Sequence, residues 1–279
     1  MDDRRLPLTM APLASLRLLR RRWSEVEPLE RSFSLGSRLF VAVLPLSLVA
    51  QQLTIREISL GELLTAAFRL EGAGREAAET LFAPPAELGA GLGLFAILVL
   101  LLALRGFARG IQRLYTDLWH VRLPGPIAIA WQFIWAMWLV LYVVADITLA
   151  GVRVGGEGLA WVTVVVSLVL YILMWSLTPT LLLARRIPIR RLTPTIVLTA
   201  AAIAIFDAVS RAYFPSIATE NAERYGLIGF AFSLLSWFFI NQTLVVVAAL
   251  LGAVFDELRQ SRQDPAGLVS GIAQGAADV

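Results

Sequence analysis

Long apolar stretches separated by short clusters of arginine make up the pattern of this chain. Six stretches are apolar over enough residues to cross a bilayer as helix, which takes about 20. They are residues 36–53, 88–104, 127–150, 159–183, 196–214 and 225–255. Pro45 interrupts the first, and Gln51 and Gln52 close it. The last runs from Tyr225 to Phe255 without a charged residue. It is longer than one crossing needs, so it is expected to tilt or to project. The pattern predicts an all-α polytopic membrane protein with six transmembrane helices. Residues 1–35 form an N-terminal arm, 36–255 the transmembrane domain and 256–279 a tail.

Two flanking stretches have helical periodicity without the length to cross. "LASLRLLRRRWSEV" puts Leu16, Leu19 and Trp23 near one stripe with arginines beside them, the pattern of an interfacial amphipathic helix. "ISLGELLTAAFRL" repeats Leu60, Leu64, Ala67 and Phe68 at helical spacing. "FAPPAEL" then closes that loop and starts the second span. Eighteen arginines fall in the N-terminal arm, the second and fourth loops and the tail, against six on the other side. The positive-inside rule therefore places both termini in the cytoplasm.

Composition agrees and removes several function classes. Of 279 residues, 58% are hydrophobic and 16% charged, with a mean hydropathy of +0.73. A soluble domain carries about 25% charged residues. All 24 basic residues are arginine, so neither a P-loop lysine nor a Schiff-base lysine exists. With no cysteine and a single histidine, His120, cysteine or paired-histidine zinc sites, histidine-held haem and thiol redox chemistry are not expected. No metallopeptidase motif, Walker motif or Ser-His-Asp set is present, and no nucleic-acid-binding module. An enzyme is not expected, nor a cofactor, a metal or a nucleic-acid partner. The opening "MDDRRLPLTM" has no adjacent apolar core, so no cleaved signal peptide is expected.

The candidate chemistry lies in polar groups inside apolar stretches. Asn241 and Gln242 interrupt the last one, where an unpaired amide is costly. They either bond neighbouring helices or line a polar solute path. On a helical wheel, Gly226, Gly229, Ser233, Ser236 and Thr243 form a small-residue stripe suited to close packing. Asp146 and Asp207 are ionisable groups within predicted spans. Asp207 has Arg211 one turn away and Asp146 has Tyr142. The loop "ARRIPIRRLTPT" carries Arg185, Arg186, Arg190 and Arg191, which either set topology or hold anionic headgroups. Arg105, Arg109 and Arg113 repeat at four-residue spacing past the second span, and Gly106 and Gly110 lie on another face. Tyr115, Trp119 and His120 read as interfacial anchors. Pro179 in "WSLTPTLLL" predicts a kink that Ser176, Thr178 and Thr180 can satisfy.

Four stretches together, "RLFVAVLPLSLV", "RGFARGIQRLYTDLWHVR", "RRIPIRRLTPT" and "YGLIGFAFSLLSWFFINQTLVVVAALLGAVFDEL", resemble the YihY/BrkB family of bacterial inner-membrane proteins over residues 13–262. Val254 and Asp256 stand where that family usually carries Glu and Asn, so a role for that glutamate does not carry over. The resemblance implies a six-helix protein of the bacterial plasma membrane, in a family proposed to include transporters, lipid transporters among them. An older description of the family as a ribonuclease does not suit a chain without metal ligands or an RNA-binding domain. The expected function is transport or flipping of an amphipathic or anionic solute, lipid included, without ATP hydrolysis. The alternative is a non-transporting scaffold or envelope-assembly factor. The expected partners are the bilayer and its anionic phospholipids, with homo-oligomerisation left open.

Overall fold

The computed structural model describes residues 11–53, 59–83, 90–155 and 160–263, and these are helical apart from short turns. The helices are α1 (Ala11–Val26), α2 (Pro28–Leu53), α3 (Leu60–Phe68), α4 (Gly72–Leu81), α5 (Ala90–Leu118), α6 (Gly125–Gly155), α7 (Ala160–Leu182) and α8 (Ile189–Gln263). Four of them, α5 to α8, are long and apolar enough to cross a membrane. The chain is thus all-α among the described residues, with a helix inventory compatible with a membrane protein.

Local chemistry sets the helix ends. Glu27 takes a positive φ of 49° between α1 and α2, and Pro28 then opens α2 with its missing N–H at a position that needs none. Ser59 and Glu62 form a reciprocal capping box on α3, where helical spacing predicted a helix. Arg69 ends α3 in the left-handed region. Ala184 and Arg185, at φ 51° and 57°, end α7, and Arg185 N–H bonds Thr180 O at 2.9 Å.

Helix α8 is the organising element. Its 75 residues would make a rod of roughly 110 Å, several times a hydrocarbon core of about 30 Å. It does not run straight. Gly226 sits at φ 62°, ψ −145°, a region open essentially to glycine, and the chain reverses there. Residues 189–225 and 227–263 become two antiparallel arms. The pairs Arg191–Asp256, Thr195–Gly252 and Ser210–Trp237 keep one register along them.

The last apolar stretch was expected to begin at Tyr225, one residue before this break. The stretch 215–224, between two predicted spans, is helical rather than loop. Phe214, Ala218 and Ala222 pack there against Ala77, Ala78 and Phe82, which holds the helix through Pro215. Their partner α4 has few large apolar residues, and its helix was not foreseen. Helix α5 also continues past residue 104 to Leu118. "FAPPAEL" falls largely on residues 84–88, outside the described residues.

Two large apolar clusters stack along the bundle, besides a small one of Ala96 and Leu100. One, at the arginine-rich end, gathers Leu114, Tyr115, Trp135, Leu182, Leu192 and Leu250 with their neighbours. The other gathers Phe82, Phe214, Phe230 and Leu234 around the α8 turn and α4. The second arm shows the contrast between the two ends. Leu227, Ile228, Phe232 and Ile240 are exposed, whereas no residue from Asn241 to Val254 is. That half of the charge-free run is encased in protein.

Helix α1 lies against the encased end. Leu18, Leu19, Arg22 and Val26 face the bundle, and Arg22 pairs with Glu257 of α8. Leu16, Arg17, Arg20, Arg21 and Trp23 stay exposed, so of the predicted stripe of Leu16, Leu19 and Trp23 only Leu19 faces the bundle. The hydrogen bond from Arg21 at 2.8 Å, with the Arg22 charge beside it, holds the Glu25 carboxyl below its usual range.

Candidate functional site

The turn at Gly226 brings polar groups of both arms together. Asn221 Nδ2 donates to Ser233 Oγ at 2.8 Å, and Ser233 Oγ donates to Gly229 O at 2.9 Å. Trp237 Nε1 donates to Ser210 Oγ at 2.9 Å. Gly229 touches the Asn221 carbonyl so closely that no Cβ fits. Of the small-residue stripe of the last apolar stretch, Gly229 and Ser233 pack the first arm as read, whereas Gly226 breaks the helix in open space and Ser236 is exposed.

Against these bonds, and lined by both arms, lies a cavity of about 510 Å³. Phe206, Tyr213, Phe214, Phe232 and Trp237 form its walls, with Ser236 at its surface. Tyr213, Tyr225 and Ile228 form an exposed rim. The lining is overwhelmingly apolar. Of its polar side chains, Ser210, Asn221 and Ser233 are already hydrogen-bonded to one another's arms. The volume lies within the usual range of about 300–1,000 Å³ for small-molecule sites. An apolar groove of this kind suits a hydrocarbon chain rather than an ion.

The sequence-predicted residues lie outside that groove. Gln242 is 4% exposed and donates through Nε2 to Asn241 Oδ1 at 3.2 Å. The two amides thus bond each other, and neither lines the groove. Gln242 Oε1 has no partner among the described residues. Gly36 of α2 crosses the second arm at the backbone of Phe238 and Phe239, where an added Cβ would approach to 3.1–3.3 Å. Leu39, Phe40 and Val43 pack toward Leu234 and Phe230, so α2 runs antiparallel to this arm. Asn241 and Gln242 therefore lie on the α1 side of that crossing and Arg38 on the other. The amides sit nearer the arginine-rich end than a charged residue of the neighbouring helix does.

Asp207 is half-buried on the first arm, on the side that Tyr171 of α7 approaches, and Arg211 is exposed. Neither lines the groove. Asp146 belongs to α6, and its side chain lies outside the described residues. The four loop arginines are not equivalent. Arg191 Nε bonds Asp256 Oδ2 at 2.9 Å, and Arg186 Nη1 bonds the Arg122 carbonyl at 2.9 Å. Arg185 and Arg190 are exposed.

Sequence reasoning missed two buried polar devices. Asp256, 4% exposed, accepts from Arg191 and from Gln260 Nε2 at 2.6 Å. The first of two acids closing a charge-free run was the available signal. Gln112 Nε2 bonds Leu182 O at 3.0 Å, and Gln132 Nε2 bonds Gln112 Oε1 at 2.6 Å, which ties α5, α6 and α7. Trp135 Nε1 bonds Thr178 Oγ1 beside Pro179, and Thr178 bonds Met174 O at 2.7 Å. Thr180 Oγ1 likewise bonds Ser176 O, so these two hydroxyls flank Pro179 by bonding the carbonyls on either side of the Trp175 carbonyl that the proline leaves free. No group of three or more His, Cys, Asp or Glu side chains suited to a metal occurs among the described residues. Compared with family models, curated proteins and solved structures, the chain matches none.

Proposed function

We propose that this is an integral membrane protein that takes a lipid-like amphiphile from the bilayer into the lateral groove between the arms of α8 and moves its headgroup across. The observation that carries the reading is the 510 Å³ apolar groove, open on a surface whose exposed side chains are themselves apolar. In this reading α2, α5, α6, α7 and the two arms of α8 make six crossings, with both termini on the arginine-rich, cytoplasmic side. Each arm, 37 residues or about 55 Å, outreaches the hydrocarbon core, and its surplus forms the encased end. Placement in a bacterial plasma membrane and kinship with the YihY/BrkB family remain part of the proposal and rest on the sequence resemblance.

The polar-path version of transport has less support, because Asn241 and Gln242 bond each other inside packed protein. That packing is the observation favouring a scaffold or envelope-assembly factor as second reading. Proteoliposomes holding a headgroup-labelled phospholipid separate the two. Transport predicts transbilayer exchange above protein-free vesicles and its loss in Ser236→Trp, which fills the groove from an exposed position. A scaffold predicts no exchange with either protein. Full exchange by Ser236→Trp would remove the groove from the account.

A further inference from the structure

The loop of Arg185 to Arg191 is a weaker headgroup site, since the charge of Arg191 is already paired with Asp256. A better one lies between α2 and α5. On α5, Leu98, Leu102, Arg105, Arg109 and Arg113 fall within about 80° of the helical wheel. All five are exposed. One stripe therefore runs from bare leucine to bare arginine. Gly106 and Gly110 lie immediately beside it, toward α2. Arg38 Nη1 donates to Gly106 O at 2.9 Å, and a Cβ on Gly110 would come 3.0 Å from that same nitrogen. The Arg38 guanidinium thus lies beside Gly106 and Gly110, still exposed, with further N–H groups to offer. The nearest carboxylate along α5, Asp117, is taken by Arg31 at 2.7 Å. Arg38, Arg109 and Arg113 have no ion pair among the described residues.

We propose that Arg38, Arg109 and Arg113 bind the phosphate of an anionic lipid headgroup between α2 and α5. Guanidinium forks match phosphate oxygens in pairs, and three of them surround the strip where α2 and α5 approach. Leu98, Leu102 and Val41, exposed beyond the arginines, give the acyl chains a course along the same face. That continuity selects a lipid over a free phosphate. The proposal rests on the membrane reading but not on the groove of α8, which is formed by other residues.

The test is native mass spectrometry of the purified protein with phosphatidylglycerol, phosphatidylcholine or inorganic phosphate added. Arg109→Gln/Arg113→Gln is compared with Arg17→Gln/Arg20→Gln, which removes the same charge from α1. All four positions are exposed, so the fold should persist, as a thermal melt checks. Each arginine beside an anionic headgroup is worth about a five-fold factor. The first double variant should therefore hold phosphatidylglycerol about thirty-fold more weakly. The α1 variant should match wild type, and phosphatidylcholine should be indifferent to both. Gly110→Ala crowds Leu35 Cδ2 at 2.7 Å as well as Arg38 Nη1 at 3.0 Å without altering charge, and where the thermal melt shows the fold kept it should also weaken phosphatidylglycerol. Equal loss in the two double variants, or no loss in the first, overturns the site. Binding of inorganic phosphate as firm as that of phosphatidylglycerol overturns the lipid assignment.

Discussion

Arg190 and Arg191 are neighbours in one loop and carry the same charge, yet they stand in different physics. Arg190 is exposed, whereas Arg191 reaches Asp256, whose side chain is only 6% exposed. Removing the arginine leaves a carboxylate in low dielectric with only Gln260 beside it. Losing one partner of a fully buried pair costs about 3–5 kcal/mol. Arg191 is itself 41% exposed, so the expected cost of Arg191→Gln is about 2 kcal/mol. Arg190→Gln should stay within about 0.5 kcal/mol. Thermal unfolding in detergent compares them, and equal losses would contradict the pairing. Residue identity alone marks such positions without ranking them. Asn241 and Gln242 stood out as anomalies in an apolar run. Their depth was not legible, because it is set by where Gly36 crosses, and no property of the last stretch encodes that. Asp256 was passed over for the same reason, since its partner lies 65 residues away.

At the scale of elements, the hairpin of α8 turns on glycines that act by different means. Gly226 holds a positive φ in open space, so Gly226→Ala costs only backbone strain, about 1–3 kcal/mol. Gly252 sits against Thr195, where a Cβ would come 2.6 Å from the Thr195 backbone nitrogen, so Gly252→Ala must push the arms apart. Melting temperatures should fall in the order wild type, Gly226→Ala, Gly252→Ala. Were Gly226 ordinary helix, alanine would instead stabilise by up to about 1 kcal/mol, and a raised melting temperature would contradict the turn. Long apolar periodicity made the main helices legible, and α3 too, through Leu60, Leu64, Ala67 and Phe68. Helix α4 escaped because "GAGREAAETL" buries alanine and glycine, which give periodicity little contrast. The stretch after Phe214 escaped because Pro215 signals a break that packing on α4 overrides.

At the scale of the molecule, the chain divides by surface rather than by domain. One end is a polar-stapled core, tied by Arg22–Glu257, Arg191–Asp256 and the Gln112–Gln132 bond. The other, around the turn of α8, presents bare apolar faces, which on α6 continue back to Ile127 at the first end. The groove lies wholly in the second region, between elements that only the reversal at Gly226 brings together. No local pattern announced it, since Phe206, Tyr213, Phe232 and Trp237 read separately as ordinary apolar helix. The most direct measurement is photocrosslinking in bilayers with a phospholipid carrying a photoactivatable acyl chain, mapped by peptide mass spectrometry. The account predicts adducts concentrated on residues 206–217 and 225–240, lost in Ser236→Trp. Adducts spread evenly over the exposed faces of α6 and α7, and unchanged by that substitution, would contradict it.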